Sequence, residues 1–508
     1  MIQFGSEAQF ARVRQLFETA GFYEEQLCQR LGIPSLENFE EDFERTDLED
    51  YGRDATGALI ELFVEGHYID GKLAEQQFGA DALAAMNELG LLDAHGEQIA
   101  ATVALYPTAG LWIASDRWNT PDRTTWKTPP DVVYPAIVSN AQRFLKFLPE
   151  TACDCLLDLC SGTAFAALNG AKQYAGEAWA LDISERATIF GEFNRRLNDI
   201  ANVTIATSDL YESAGDQQFD RIVAHPPYVP VLRPKWVYQD GGSDGEQIVR
   251  GCIQGIPDHL RPGGLFYLLA MGSDREDNTW ERRIRSYLGE DENEFDIGVF
   301  VVRTLDPDEF AVRAVVNSEN PPQDLREFKR LFSRLGMRQM VYAVLLIQRR
   351  SEIRPVFTIR RQNSATTTIA EIMSSMKWET DRLTPNVNER VLQSWVRANP
   401  GAELRVKHTL SAEEGWQPAE YMLRTSHPFS MEARTDPWAP FLLAACDGAH
   451  RAIEHYEGLR VQEVIPDTTA PEEFAEAIGV LVSGGLLELS AVPFAGPSPD
   501  DSAQHPSS

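Results

Sequence analysis

Between Leu157 and Tyr228 the chain carries, in order, residues whose types suit the binding of a nucleotide and chemistry beside it. Asp158 is followed by the small-residue run Ser161, Gly162, Thr163 and Ala164. Asp182 and Ile183 end the next apolar stretch, Asp209 and Leu210 the one after, and His225-Pro226-Pro227-Tyr228 follow. Small residues after a strand let backbone approach a ligand closely, and the helix that follows offers free amide donors at its N-terminus. A carboxylate about 20 residues further on suits the two hydroxyls of a ribose. Asp182 has a second reading as a cap for the helix SERATIF, and Asp209 is read equally as an acceptor for an adenine amino group or as a helix cap. In the last motif two prolines stop the backbone from pairing and turn carbonyls into a cleft, while Tyr228 offers a face for a flat acceptor. The alternative there is a proline-rich loop ending a strand with a buried histidine.

These residues need strands that end on one edge. From about Asp131 to Arg350 seven apolar runs alternate with amphipathic stretches: LLDLC, EAWALDI, VTIATSD, RIVAH, GGLFYLLAM, DIGVFVVRTL and QMVYAVLLIQR. They predict a doubly wound, seven-stranded Rossmann-like α/β sheet with a closing antiparallel strand, and ligands bound at the carboxyl ends of its parallel strands. Residues 1–120 read as a helical, winged-helix-like domain: helical spacing from Ala8 to Leu31, an acid-rich solvated connection from Ser35 to Asp54, then helices and paired strands. Its third helix, Asp81 to Leu89, has no lysine or arginine for phosphate, which favours packing or substrate presentation over DNA binding. Asp116 to Pro130 reads as a surface linker within a core domain spanning 121–350. Residues 351–494 form a C-terminal domain with a second winged-helix-like unit, and 495–508 a disordered tail.

A length of 508 residues favours several domains, and a formal charge of -31 repels phosphate backbones, so nucleic acid is a disfavoured partner. The six cysteines form no CxxC pair and predict no metal site. The N-terminus has no leader-like apolar run and no stretch is long enough to span a membrane, giving an expectation of a cytoplasmic protein.

With these motifs in view, Asp131 to Arg350 resembles the class I S-adenosylmethionine (SAM)-dependent methyltransferases. It is most similar to the protein-glutamine N5 enzymes and the nucleobase amino N-methyltransferases, which share an Asn-Pro-Pro-Tyr/Phe motif. The segment GGSDGEQ after the Pro-Pro-Tyr is similar to the GG-x-DG of the glutamine enzymes. The resemblance implies that Asp158 and Gly162 contact the methionine part of SAM, Asp182 the ribose and Asp209 the adenine, with Ser161, Thr163, Ile183 and Leu210 beside them. The chain departs from the pattern at Cys160 and Ala164, where glycine is common, and at His225, where the family has asparagine. An imidazole has one acceptor nitrogen and titrates near neutrality, which opens a base-assisted route at His225. The expected activity is methyl transfer to a nitrogen of a protein, a peptide or a small molecule. A nucleobase acceptor, a non-catalytic SAM-binding scaffold and a DNA-binding regulator are the alternatives.

Overall fold

The computed structural model describes residues 2–36, 51–122, 124, 127–316 and 318–494. Most of the acid-rich connection and the whole predicted tail, 495–508, therefore lie outside the described residues. The chain divides into two compact units, one of Met1–Ile297 and Thr304–Ser351, the other of Gly298–Arg303 and Glu352 onward.

In the first unit the helical spacing from Ala8 to Leu31 resolves into two helices, α1 (Glu7–Ala20) and α2 (Glu24–Leu31). Gly21 separates them because it closes α1 in the left-handed region, at φ 68°. Next come α3 (Ala55–Leu59), running into a π-helical turn over Ile60–Val64, and β1 (Ile69–Asp70), α4 (Gly71–Phe78) and α5 (Ala80–Glu88). The Asp70 carboxylate caps α4 by accepting from Lys72 N and Leu73 N, both at 2.9 Å. β2 (Leu92–His95) and β3 (Gln98–Ala101) complete a three-stranded sheet in the order β1-β3-β2. A separate hairpin, β4 (Ala104–Thr108) and β5 (Leu111–Ser115), follows.

The core begins with α6 (Ser139–Lys146), β6 (Cys153–Leu159), α7 (Phe165–Gln173), β7 (Ala175–Asp182), α8 (Glu185–Leu197), β8 (Val203–Thr207) and β9 (Phe219–Ala224). It continues with α9 (Gln247–Gln254), α10 (Ile256–His259), β10 (Leu260–Arg275), α11 (Trp280–Tyr287), β11 (Phe295–Leu305), α12 (Pro307–Val315), α13 (Pro321–Leu335) and β12 (Met337–Arg349). The order β12-β10-β9-β6-β7-β8 places β6 centrally, with parallel pairing from β10 through β8 and β12 antiparallel to β10. This is a Rossmann-like α/β core. Leu156, Leu157 and Leu159 of β6 are wholly buried, as expected of a strand flanked on both sides by others. The basic stretch LREFKRLFSRLGMR forms much of α13 and leads directly into β12.

Asn194 of α8 and Asn198, which caps its C-terminus, bind β5 through amide clamps. Asn194 accepts from Ala114 N at 2.8 Å and donates to Ala114 O at 3.0 Å, and Asn198 makes the same pair with Trp112 at 2.9 and 2.7 Å. A side-chain amide has the donor and acceptor of a peptide group, so each clamp extends the hairpin as a strand would.

The second unit holds β13 (Thr358–Asn363), α14 (Ile369–Asp381), α15 (Val387–Gln393), β14 (Trp395–Ala398), β15 (Glu403–Ser411), β16 (Gly415–Thr425) and β17 (Phe429–Thr435). It ends with α16 (Ala439–Ala445), β18 (Asp447–Arg451), α17 (Ala452–Val461), α18 (Pro471–Ser483) and β19 (Leu487–Ser490). β15, β16 and β17 form an antiparallel meander, and β18-β14-β19 a small sheet against the helices, with Val396, Leu442, Phe474 and Ile478 wholly buried between them.

Candidate functional site

Strand register assembles the site. Leu159 of β6 is level with Leu181 of β7 and Ala224 of β9, and Leu181 with Ala206 of β8. Cys160 and His225, the residues after β6 and β9, and Asp182, the last residue of β7 and paired with Thr207, therefore stand on the same edge of the sheet. Beside that edge lies a cavity of about 520 Å³. Every residue singled out in the sequence lines it: Asp158, Ser161, Gly162, Thr163, Asp182, Ile183, Asp209, Leu210, His225, Pro226, Pro227 and Tyr228.

The turn after β6 is built from left-handed residues. Cys160, Gly162 and Ala164 have φ of 55°, 54° and 60°. Only Gly162 adopts this conformation without strain, and a Cβ built on it meets nothing within 4 Å, so that face of the turn is open. Asp182 ties the turn down, its Oδ2 accepting from Gly162 N at 2.8 Å and its Oδ1 from Ser184 N at 2.9 Å. The cap of α8 is Ser184, whose hydroxyl accepts from Ala187 N at 3.3 Å. Each Asp182 oxygen thus retains a lone pair for a ligand. Burial raises its pKa.

Asp158 is 2% exposed and accepts from Ala167 N, the first turn of α7, at 3.1 Å. Desolvation pushes its pKa up to about 8, so its carboxyl is largely protonated at neutral pH. Ile183 is 57% exposed, an unusual position for an aliphatic side chain that also faces a cavity. Asp209 is exposed and donates no cap to the short helix after it; Ser208 does that work, accepting from Ser213 N at 2.9 Å.

His225 stacks on Phe144 of α6, with centroids 5.1 Å apart and planes at 22°, and meets Tyr228 at 5.9 Å. Desolvation lowers its pKa to about 4, far from the near-neutral value the sequence suggested. The ring is neutral across the physiological range. Tyr228 is held from behind by the glycine-rich segment that follows. Gly241 N donates to Val229 O at 3.1 Å, and a Cβ on Gly245, at φ 75°, would stand 2.7 Å from Tyr228 O. That segment is anchored by the wholly buried Glu246, which accepts from Arg283 at 2.6 Å, Ser273 Oγ at 2.9 Å and Tyr287 Oη at 3.0 Å.

Sequence reasoning missed the wall contributed by Asp131, Val133, Tyr134, Asn140 and Phe144, and the stretch Val237–Asp240. The β4–β5 hairpin positions the first group. Tyr106 Oη accepts from Ala136 N at 2.6 Å, Gln142 donates to Thr108 Oγ at 2.9 Å, and Asp116 binds Arg186 and accepts from Val133 N at 2.8 Å. Among the described residues no group of three or more metal-ligating side chains is assembled, and no helix is long and apolar enough to cross a membrane.

Residues 135–289 match the methyltransferase small domain family. A ribosomal protein uL3 glutamine methyltransferase of Bradyrhizobium diazoefficiens is 30% identical over 170 residues, which cover 31% of this chain and 53% of that protein. A release factor glutamine methyltransferase of Geobacter sulfurreducens is 34% identical over 121 residues, covering 22% and 42%. A second uL3 glutamine methyltransferase, from Xanthomonas campestris, is 30% identical over 123 residues, covering 22% and 39%. The chain spans about half the length, or less, of these curated relatives.

Proposed function

For a chain whose residues 135–289 match the methyltransferase small domain family, we propose a SAM-dependent methyltransferase acting in the cytoplasm on a side-chain nitrogen of a protein or peptide. A glutamine amide is the acceptor favoured by the relatives' chemistry. The observation that carries the reading is the register by which Cys160 after β6, Asp182 at the end of β7 and His225 after β9 stand beside one cavity.

The donor set fits the cofactor. Asp182 has lone pairs left for two ribose hydroxyls, the exposed Ile183 and Leu210 offer apolar faces to an adenine, and Asp209 can accept from its amino group. Gly162, Ser161 and Thr163 bring backbone close to the methionine part, with Asp158 behind them to meet its ammonium. SAM supplies, when bound, a methyl group on a positively charged sulfur.

On the acceptor side, Pro226 and Pro227 have no N–H to pair and leave carbonyls for an incoming amino group. The neutral His225 ring accepts a hydrogen bond from the acceptor nitrogen and can take its proton as the new bond forms. Stacking on Phe144 fixes the ring plane, so most of the rate enhancement comes from positioning. The order of elements from α3 to β3 supports a winged-helix-like module, and the acidic Asp81 and Glu88 of α5 favour a packing role for it over DNA reading. A core of seven strands follows if β11 is counted with the six of the first unit.

Calorimetric titration with SAM, followed by methyl transfer to glutamine-containing peptides, tests this. His225→Ala should abolish transfer and leave the SAM Kd within about threefold, a separation expected when a group acts only on the acceptor. Tight SAM binding with no transfer to peptide, nucleic acid or metabolite pools would favour the scaffold reading, to which Cys160, Ala164 and His225 lend support. A chain that does not bind SAM is neither.

A further inference from the structure

At the cavity mouth, outside the residues assigned to the cofactor, three aromatic side chains form a ladder. Tyr134 stacks on Tyr238 at 4.9 Å and 24°, and Tyr238 on Trp236 at 6.2 Å and 29°. Tyr134, Val237 and Tyr238 all line the cavity and are 40%, 43% and 37% exposed. The ladder is fixed beside the acceptor motif, because Val237 N donates to Pro130 O at 2.9 Å and Asp240 pairs with Val229, next to Tyr228. Tyr134 and Tyr238, exposed beside an acceptor site and backed by the half-buried Trp236, form a platform on which an incoming chain can rest.

Charge narrows what that chain is. Asp131 and Asp240 flank the ladder, and among the described residues that line the cavity there is no lysine or arginine. A phosphate backbone entering the cavity would meet carboxylates and no lining cation to replace its counterions. Ammonium and guanidinium groups find the opposite: ring faces and carboxylates together. The protein makes one such contact itself, with Lys235 Nζ 4.2 Å from the Trp236 ring centroid.

We propose that Tyr134, Tyr238 and Trp236, with Asp131 and Asp240, are the docking surface for a lysine- or arginine-rich polypeptide segment that carries the acceptor side chain into the cavity. The step of delivery rests on the methyltransferase reading above, but docking itself is measured without turnover. Three peptides of one length, each with a central glutamine flanked by Lys/Arg, by Ser or by Glu, are titrated by calorimetry into the full chain saturated with S-adenosylhomocysteine. The Lys/Arg peptide should bind at least about tenfold tighter than the Glu peptide, the gain expected from a few desolvated cation–ring and cation–carboxylate contacts. Asp131→Asn with Asp240→Asn, and separately Tyr238→Ala, should each reduce that preference several-fold while leaving the S-adenosylhomocysteine Kd and the melting temperature unchanged. Equal binding of the three peptides overturns the proposal, as does a single-stranded RNA binding tighter than the basic peptide. So does a preference that survives both sets of substitutions, since it would then arise from the net charge of -31 acting at long range. Methyl transfer measured in parallel reports separately: docking without transfer upholds the surface and counts against glutamine as the acceptor.

Discussion

His225 stands where the motif this segment resembles has asparagine, and its surroundings set what it can do. A pKa lowered to about 4 by burial means that the imidazole is an acceptor throughout the working range, unlike an exposed histidine that loses this capacity below about 6.5. At saturating SAM, transfer that depends on it should therefore hold its kcat/KM for the acceptor from pH 8 to pH 6 and fall only towards pH 4; a midpoint near 6.5 in that profile would contradict the burial account. Asp158 is the opposite case. Its folded pKa of about 8 lies above the unfolded value near 3.9, so the folded protein keeps a proton that the unfolded chain has lost. Its contribution to stability is present below about pH 4 and is lost as the pH rises through 8. Asp158→Asn should accordingly raise the Tm at pH 8 and have little effect at pH 4. If the carboxylate meets a methionine ammonium, the wild-type SAM affinity rises with pH through 8, by up to about tenfold per unit, and that slope vanishes in the variant, as titrations from pH 6.5 to 9 would record.

Two turns, each closed by glycine, divide the work of the site between the strand ends. Gly162 faces open cavity with φ 54°, and Gly245 faces Tyr228 O with φ 75°. Gly162→Ala should cost only about 1–2 kcal/mol of stability from the left-handed backbone, yet weaken SAM binding far more because the new methyl occupies ligand space. Gly245→Ala pushes on the Tyr228 backbone, so it should leave SAM binding intact and lower methyl transfer. Denaturant melts with SAM titrations and peptide kinetics on both variants separate the two effects; a shared loss of SAM affinity would sink the division. Cys160 and Ala164 adopt the same left-handed conformation without being glycine, which explains why a turn that looked like a weakened nucleotide loop still has the backbone path of one.

For the molecule as a whole, β11 decides what can be removed. Gly298–Arg303 belongs to the second unit although its flanking residues belong to the first, and Val299, Phe300 and Val301 are buried there, Phe300 against Phe429 at 5.7 Å. A chain cut after Ser351 leaves that strand uncovered, and it should aggregate more than the full chain on expression, as light scattering and relative yield would reveal. Monomeric, SAM-binding 1–351 would refute this. The C-terminal domain contains the β15–β17 meander, which the sequence does not announce because its exposed strands alternate weakly, neither face of the hairpin being fully buried. The twelve candidate site residues were legible because each belongs to a local signal: a small-residue turn, an acidic strand end or a proline pair, all of which act through their own backbone. What only the tertiary structure decided is the rest of the cavity wall and the chemistry of His225. Tyr134 and Phe144 reach the site through bonds such as Tyr106 to Ala136 and Gln142 to Thr108, which join segments about 30 residues apart, and Asp240 through its bridge to Val229. The lowered pKa likewise comes from burial by the surrounding fold, the stacked Phe144 among it, which no spacing near His225 announces. Motifs act over a few residues and are written in sequence order, whereas desolvation and enclosure depend on every segment that folds against them.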